Sequence, residues 1–266
     1  MSIERLLDIM VRLRDRERGC PWDREQTWAT IAPHTIEEAY ELADAVCQGD
    51  AALVRDELGD VLFQVVFQSR IAEEQGHFTF AAVADAISDK LERRHPHVFG
   101  DAPLASVAEQ SQAWEAHKAA ERRAKGQGDG ALDGVIPGLP ALTRATKLGS
   151  RAGRVGFDWT DPSGVLAKVQ EEVHELQQAV HELPEAASSA DKTHVTEELG
   201  DLLFSVAQLA RHLGLDAEAA LREANAKFER RFRDMEAQLA AQGCAVRDAT
   251  PDALEALWAQ AKRNVG

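Results

Sequence analysis

Cysteine is scarce in this chain of 266 residues. The three copies, Cys20, Cys47 and Cys244, show neither a CxxC spacing nor the even-numbered framework of a disulfide-rich fold. Long hydrophobic runs are missing too, and the N-terminal "MSIERLLDIMVRLRDRERG" lacks the apolar segment of a signal peptide. We therefore expect reduced thiols, no membrane partner and a cytoplasmic protein.

Basic charge is in deficit, with 45 acidic residues against 30 Lys and Arg and a net charge of −15. A general nucleic-acid binder usually carries the opposite sign, so we expect no direct nucleic-acid binding. A phosphate-bearing substrate is still compatible with this composition, because bound metal ions and local basic clusters can reverse the field at one site.

Strand signals are almost absent, and the chain contains a single tyrosine. Apolar residues instead recur at helical spacing among Ala, Leu, Glu, Arg and Gln, which predicts an all-α protein. A glycine-rich stretch, residues 122–138, breaks this pattern. It predicts a linker between a first domain of residues 1–121 and a second of residues 139–266.

The two predicted domains repeat one another. Four landmarks occur in the same order in both: "CPWD" and "VGFD", "EEAYEL" and "EEVHEL", "ELGDVLFQ" and "ELGDLLFS", "KLERRHPHVF" and "KFERRFRDME". Their offset drifts only from 134 residues (Glu37 to Glu171) to 141 residues (Glu57 to Glu198). An internal duplication into two helical-bundle domains explains this order.

Each half carries two pairs of acids at helical spacing. Glu38 and Glu41 share a helix face, and Glu57 and Asp60 repeat the arrangement on the next helix. Like charges at this spacing repel one another, so an offsetting partner is expected. The counterparts in the second half are Glu172, Glu175, Glu198 and Asp201.

The helix that carries each ELGD motif is apolar on almost every side. In the first copy Glu57, Asp60, Gln64 and Gln68 share one narrow polar stripe. We expect a buried helix, with the glycine of the motif allowing a neighbouring backbone to approach closely. Acids on such a stripe must be paired, protonated or bound to metal. The alternative is an amphipathic helix with ordinary surface acids, which the repetition disfavours.

Carboxylates without cysteine suit a hard cation, so the sequence predicts Mg²⁺, with Mn²⁺ as a substitute. A di-iron bundle would need a Glu-x-x-His motif on each of two helices. Glu171–His174 and Glu92–His95 have that form, but in each case the other half lacks the matching histidine. Di-iron is therefore disfavoured.

A basic cluster follows each set of acids at a matched distance. Such clusters usually lie on solvated faces, but a metal-held phosphate substrate would need cations of this kind. They are Lys90, Arg93 and Arg94 in the first half and Lys227, Arg230 and Arg231 in the second.

In combination, EExxE followed by ExxD, "CPWDREQT" before them and "KLERRHPHVF" after them resemble the MazG family of nucleoside triphosphate pyrophosphohydrolases. The resemblance covers nearly the whole chain and includes the tandem arrangement. It implies an all-α fold, usually a homodimer, with four helices around each Mg²⁺ site. It also implies hydrolysis of nucleoside triphosphates between the α- and β-phosphates, giving a monophosphate and pyrophosphate.

The resemblance also implies a role for each matching residue. The four acids of the second half would be metal ligands, with those of the first half as counterparts. Lys168, Glu171 and the segment Lys227–Arg231 match nucleotide-contacting positions, as does Trp258, which could stack on a base or cap the core. Glu171 or Glu175 would orient the attacking water or take its proton.

Two differences separate the halves. Lys168 precedes EExxE in the second half, where the first has His34, and Trp258 follows only the second. We expect the principal site in the second half, with the first being catalytic, regulatory or a dimerisation unit. The alternatives are a non-catalytic helical regulator that binds nucleotides or a protein partner, and a narrower pyrophosphohydrolase of the dUTPase or phosphoribosyl-ATP type, which the tandem layout disfavours.

Overall fold

The computed structural model describes residues 2–100, 106, 130–184 and 192–265. These residues form helices and no strand, which confirms the all-α prediction. The chain divides into two compact units, Met1–His117 and Lys118–Gly266. Residues 122–129 of the predicted linker lie outside the described ranges, and residues 130–138 have no regular secondary structure. None of the described helices is long and apolar enough to cross a membrane.

The first unit is built from six helices within the described ranges. They are α1 (Ser2–Leu13), α2 (Pro21–Glu25), α3 (Trp28–Gln48), α4 (Ala51–Glu74), α5 (Phe80–Arg94) and α6 (Pro96–Phe99). The long helices α3 and α4 pack along one another, and α1 and α5 pack on α4.

The second unit repeats the long pair. Its described helices are α7 (Ala141–Arg154), α8 (Pro162–His181), α9 (Thr193–His212), α10 (Ala217–Ala241) and α11 (Pro251–Asn264), with a 3₁₀ turn at Val246–Asp248. Helix α8 packs along α9, α7 packs on α9, and α10 contacts α7, α9 and α11.

Polar side chains cap the start of several helices. Thr79 accepts a hydrogen bond from the backbone N–H of Ala82 at the start of α5, and Asp216 accepts one from Ala219 at the start of α10. Thr79 and Asp216 occupy equivalent positions in the two copies of the duplication. At the other end of α3, Gly49 adopts φ 73°, a left-handed conformation that favours glycine and ends the helix.

The cores of the two units differ in the size of their side chains. In the first, Met10, Ile31, Val66, Phe67 and Ile71 form one buried apolar cluster. In the second, the cluster consists of three alanines, with Leu142 and Ala210 packed against it. The alanines are Ala145, Ala207 and Ala217. The second core therefore brings its helix backbones together through small residues.

The prediction that the ELGD helices are buried on every side is wrong for the single chain. Leu58 on α4 is 52% exposed, and Leu62 and Val65 are also exposed. Among the described residues, a β-carbon added at Gly59 or Gly200 would meet no atom within 4 Å outside its own stretch of helix, so no other described backbone segment comes close there. A helix that is apolar on most faces needs cover on each of them, and the helices that pack on α4 and α9 cover only part of each circumference.

Candidate active site

The first unit brings three of its predicted acids together between its two long helices. Glu38 and Glu41 come from α3 and Glu57 from α4. One carboxylate oxygen of each lies within 4.8 Å of the others. The three-residue spacing puts both α3 acids on one helix face, and the packing of α3 on α4 brings Glu57 to them.

The second unit forms the same group. Glu172 and Glu175 come from α8 and Glu198 from α9, and their oxygens also lie within 4.8 Å of one another. Glu172 is buried, whereas Glu175 is exposed. The duplication has therefore kept the positions of these acids as well as their sequence spacing.

The fourth predicted acid of each half lies outside these groups of three. Asp60 follows Glu57 by one turn of α4 and is exposed, and Asp201 is placed in the same way on α9. Asp60 still acts on the site, because its charge raises the pKa of Glu38 and of Glu57. Each site thus consists of a close group of three acids with a fourth at its edge.

Desolvation and the charges of neighbouring acids raise the pKa of Glu38 and Glu57 in the first site and of Glu175 in the second. Burial raises the pKa of the Glu38 carboxyl, and the charges of Asp60 and Glu41 raise it further. Desolvation by neighbouring groups also raises the pKa of Glu175, although this residue is exposed. The charge of Lys168 opposes the increase and that of Glu172 adds to it. Such groups gain most from a cation that neutralises them.

A lysine distinguishes the second site. The Lys168 ammonium lies 2.7 Å from Glu172 and 2.9 Å from Glu171. Its hydrogen bonds to these two carboxylates hold the pKa of Lys168 above its usual value. In the first unit, His34 at the matching position contacts Glu37 at 3.4 Å. The Glu38 carboxylate accepts a hydrogen bond instead from the Gln64 carboxamide, at 3.3 Å.

The predicted basic clusters lie on other helices. Within the described residues, no recorded hydrogen bond or ion pair joins either cluster to the acids. Lys90, Arg93 and Arg94 occupy the last turns of α5, and Lys227, Arg230 and Arg231 the middle of α10. The Nε atom of Arg231 is buried and has no hydrogen-bond partner among the described residues.

Trp258 on α11 belongs to an aromatic group beside the second basic cluster. Its ring centroid lies 5.1 Å from that of Phe228 on α10, and Phe228 stacks on Phe232 at 6.0 Å. The Lys262 ammonium lies 5.9 Å from the Trp258 ring. The half-buried Trp258 ring thus packs on Phe228 of α10, the residue that follows Lys227 in the sequence.

Sequence reasoning missed an ion pair and a cavity in the second unit. Arg211 donates to Asp158 of the "VGFDW" segment at 2.6 and 2.8 Å, and these hydrogen bonds hold the pKa of Asp158 well below its usual value. A cavity of about 580 Å³ lies beside this pair, lined also by Trp159, Phe204 and Gln208. The repeated segment that ends in Asp158 pointed to this region, but nothing in the sequence links Asp158 to an arginine 53 residues away.

The donor set fits a divalent metal ion. Clustered carboxylate oxygens are the ligands of hard cations, and both groups offer three within reach of one ion. Beside the first group, the buried Gln64 Oε1 has no hydrogen-bond partner among the described residues. Acids with raised pKa values and an oxygen that lacks a donor are what a hydrated cation would satisfy.

A tandem all-α chain with paired acid groups defines a class, and comparison with known proteins identifies it. The MazG nucleotide pyrophosphohydrolase domain matches twice, at residues 26–99 and 161–235. The chain belongs to the MazG family. The two matches include both groups of acids and the whole of the four helices that carry them.

Similar proteins match the chain along its length. The nucleoside triphosphate pyrophosphohydrolase of Escherichia coli K12 is 51% identical over 263 residues, which cover 98% of this chain and 97% of that protein. The nucleoside triphosphate pyrophosphohydrolase/pyrophosphatase MazG of Thermotoga maritima is 43% identical over 260 residues, 97% and 95% of the two chains. A solved MazG-related protein from T. maritima, at 27% identity, covers 43% of this chain and 97% of its own with a TM-score of 0.38, a likeness too weak to bear on the fold.

Proposed function

We propose that this chain is a Mg²⁺-dependent hydrolase that converts nucleoside triphosphates to monophosphates and pyrophosphate, with its principal site in the second unit. One observation carries the proposal. Glu172, Glu175 and Glu198 converge beside Lys168 in a chain whose full-length relatives are named nucleoside triphosphate pyrophosphohydrolases. The same acids recur in the first unit without the lysine.

The acids of the second unit would hold the cation, with Asp201 joining the close group of three. Mg²⁺, when bound, neutralises phosphate charge and lowers the pKa of a coordinated water. In the metal-free protein the Lys168 ammonium compensates the charge of the buried Glu172. Lys168 is therefore placed to turn towards substrate phosphate oxygens once that carboxylate has another cationic partner.

Glu175 and Glu171 are the candidates for handling the proton. The raised pKa of Glu175 suits a general base. Glu171 is exposed and bonded to Lys168, so it can orient a water molecule without being a ligand. In the proposed reaction, water oxygen bonds to the α-phosphorus, the bond from that phosphorus to the bridging oxygen breaks, and the water proton passes to the carboxylate.

The departing pyrophosphate needs cations, and the nucleoside needs a surface. We assign the first role to Lys227, Arg230 and Arg231, because Arg231 retains a buried donor with no partner among the described residues. We assign the second to Trp258, whose ring packs beside the same segment of α10. In the first unit, Lys90, Arg93 and Arg94 would take the phosphate-binding role.

We also propose that the protein is a homodimer. Leu58 and Leu62 on α4, and Leu199 and Leu203 on α9, are exposed large apolar side chains on both ELGD helices. On each helix the two leucines lie about one turn apart, so each helix exposes an apolar stripe, and the interface of a two-fold dimer would cover such a stripe. Light scattering should give twice the 29.1 kDa chain mass. A monomer at micromolar concentration would refute the assembly.

A cytoplasmic location belongs to the same proposal. All three cysteines are free, which suits a reducing compartment. Nucleoside triphosphates, the proposed substrates, are made and used in that compartment. A reporter fusion followed by cell fractionation would check it, with export from the cytoplasm as the contrary result.

Product analysis tests the proposed reaction. A panel of ribo- and deoxyribonucleoside triphosphates is incubated with Mg²⁺ and scored by ³¹P NMR for pyrophosphate and for orthophosphate. We expect pyrophosphate and the monophosphate in equal amounts. Orthophosphate as the first product would refute α–β cleavage, and binding without any product would favour a non-catalytic regulator.

A further inference from the structure

Gln64 is a buried polar residue that no step above uses. It follows Asp60 by one turn of α4 and is 4% exposed. Its Nε2 donates a hydrogen bond to the Glu38 carboxylate at 3.3 Å. Its Oε1 is also buried but has no hydrogen-bond partner among the described residues. The NH₂ group of this carboxamide therefore has a hydrogen-bond partner among the described residues, whereas its carbonyl oxygen has none.

The orientation of the carboxamide follows from its neighbour. An ionised carboxylate only accepts hydrogen bonds, so the NH₂ group must face Glu38 and the carbonyl oxygen must lie on the other side. The nearby Glu41 and Glu57 cannot supply a donor while they are ionised. Because buried acceptors are normally satisfied, Oε1 requires a donor from outside the described protein.

In the second unit, the acid that matches Glu38 has a different partner. Ser205 occupies the position that matches Gln64, and it is too short to reach across in the same way. Glu172, which matches Glu38, is contacted instead by the Lys168 ammonium. The first site thus replaces a cationic partner by a neutral amide that has a spare acceptor.

We propose that Gln64 is a positioning residue of the first site. Its NH₂ group fixes the Glu38 carboxylate, and its carbonyl oxygen accepts a hydrogen bond from a water molecule on the cation held by Glu38, Glu41 and Glu57. This inference rests on the proposed function, because it assumes that the first group of acids binds a divalent ion. It adds a neutral oxygen to the surroundings of that ion.

Mn²⁺ binding to the full-length chain tests the inference. The second site is first disabled by replacing Glu172, Glu175 and Glu198 with Gln, and Mn²⁺ affinity is then measured by electron paramagnetic resonance. Gln64→Met, which keeps the volume but removes both hydrogen bonds, should weaken Mn²⁺ binding about tenfold, the lower range for loss of an outer partner of a metal ligand.

Thermal unfolding without metal separates positioning from a purely structural role. Gln64→Met removes an unsatisfied buried atom, so its metal-free melting temperature should not fall below that of the parent. A matched control is made in a chain whose first-site acids Glu38, Glu41 and Glu57 are replaced by Gln, so that only the second site can bind Mn²⁺. In this chain Ser205→Ala should change the Mn²⁺ affinity less than twofold.

Three results would overturn the inference. One is Mn²⁺ affinity of Gln64→Met within twofold of the parent, and another is a lower metal-free melting temperature that accounts for the lost affinity. The third is a first site that binds no Mn²⁺ at all. None of these results would affect pyrophosphate release by the wild-type chain, so failure of the inference and failure of the proposed function are distinguishable.

Discussion

The two units hold the same acids but give them different partners. Glu172 in the second unit is contacted by a lysine, whereas Glu38 in the first is contacted by a glutamine. Acid geometry is set by helix periodicity and by the packing of one helix pair, which both copies retain. The partner of each acid depends on single side chains, so it can diverge without loss of the fold.

The cores show the same divergence. In the first unit, Phe67 is fully buried and meets the Trp22 ring edge-on at 6.5 Å. At the matching positions the second unit has Gln208, which donates to the Ala145 carbonyl, and Phe157, which is 80% exposed. Aromatic rings fill the first unit where the second has a cavity lined by Gln208 and Phe157.

The largest effect on stability is expected from truncating the first core. Phe67→Ala should lower the free energy of unfolding by about 3–5 kcal/mol, because it removes a buried ring and leaves a cavity. Gln208→Ala should have a smaller effect, about 1–3 kcal/mol, from unmade hydrogen bonds to Ala145 and Arg211. Urea unfolding followed by circular dichroism measures both. Equal losses would contradict the contrast between a buried ring and a buried carboxamide at these matching positions.

Exchanging the residue three positions before EExxE, Lys168 or His34, should move activity between the units. Lys168→His removes the ammonium that contacts Glu171 and Glu172 and should lower kcat/KM by about 10–100-fold, the range for loss of a partner of a metal ligand. The reciprocal His34→Lys should raise turnover of a chain that also carries Glu175→Ala. If Lys168→His retains full kcat/KM, the lysine does not distinguish the sites.

The matching arginines Arg70 and Arg211 offer a smaller test. Arg211 pairs with the distant, mostly shielded Asp158, so Asp158→Asn should cost about 1–2 kcal/mol at neutral pH after allowance for partial solvent screening. Arg70 pairs with the exposed Glu73 three residues along α4, so Glu73→Gln should cost less than about 0.5 kcal/mol.

The pH dependence of Asp158→Asn has a defined sign. Because the folded-state pKa of Asp158 is depressed, its stabilisation is fully present above the unfolded value of about 3.9. It is lost as pH falls through the lower folded value. Urea titrations at pH 7 and in acid compare wild type with the variant, and a difference that grows in acid would contradict this assignment.

The smallest effect concerns the charge of the acids without metal. The pKa of Glu175 is raised in the folded chain, so its ionisation opposes folding. Glu175→Gln should raise the metal-free melting temperature at pH 7, and the gain should disappear as pH falls below the unfolded value of about 4.3. Glu57→Gln should do the same in the first unit. Scanning calorimetry in the presence of a chelator measures these melting temperatures. Values for the variants that are equal to or lower than that of the wild type would contradict the prediction.

Local periodicity allowed much of this molecule to be predicted. The all-α fold and the convergence of the Glu38 and Glu172 groups follow from acids three residues apart on paired helices. The exposed Leu58 could not be foreseen, because an apolar pattern shows which faces need cover and not what covers them. The Asp158–Arg211 pair joins distant parts of the chain, and no local pattern reports such a contact.

The central claim is that the second group of acids is the principal catalytic site. The most direct measurement compares Mg²⁺-dependent pyrophosphate release by Glu175→Ala and Glu41→Ala, matched substitutions at equivalent acids, with circular dichroism confirming that both remain helical. The account predicts a loss of more than about a hundredfold for Glu175→Ala, beyond that for an outer partner, and retention of most activity by Glu41→Ala. Retained turnover in Glu175→Ala, or its abolition in Glu41→Ala, would contradict it.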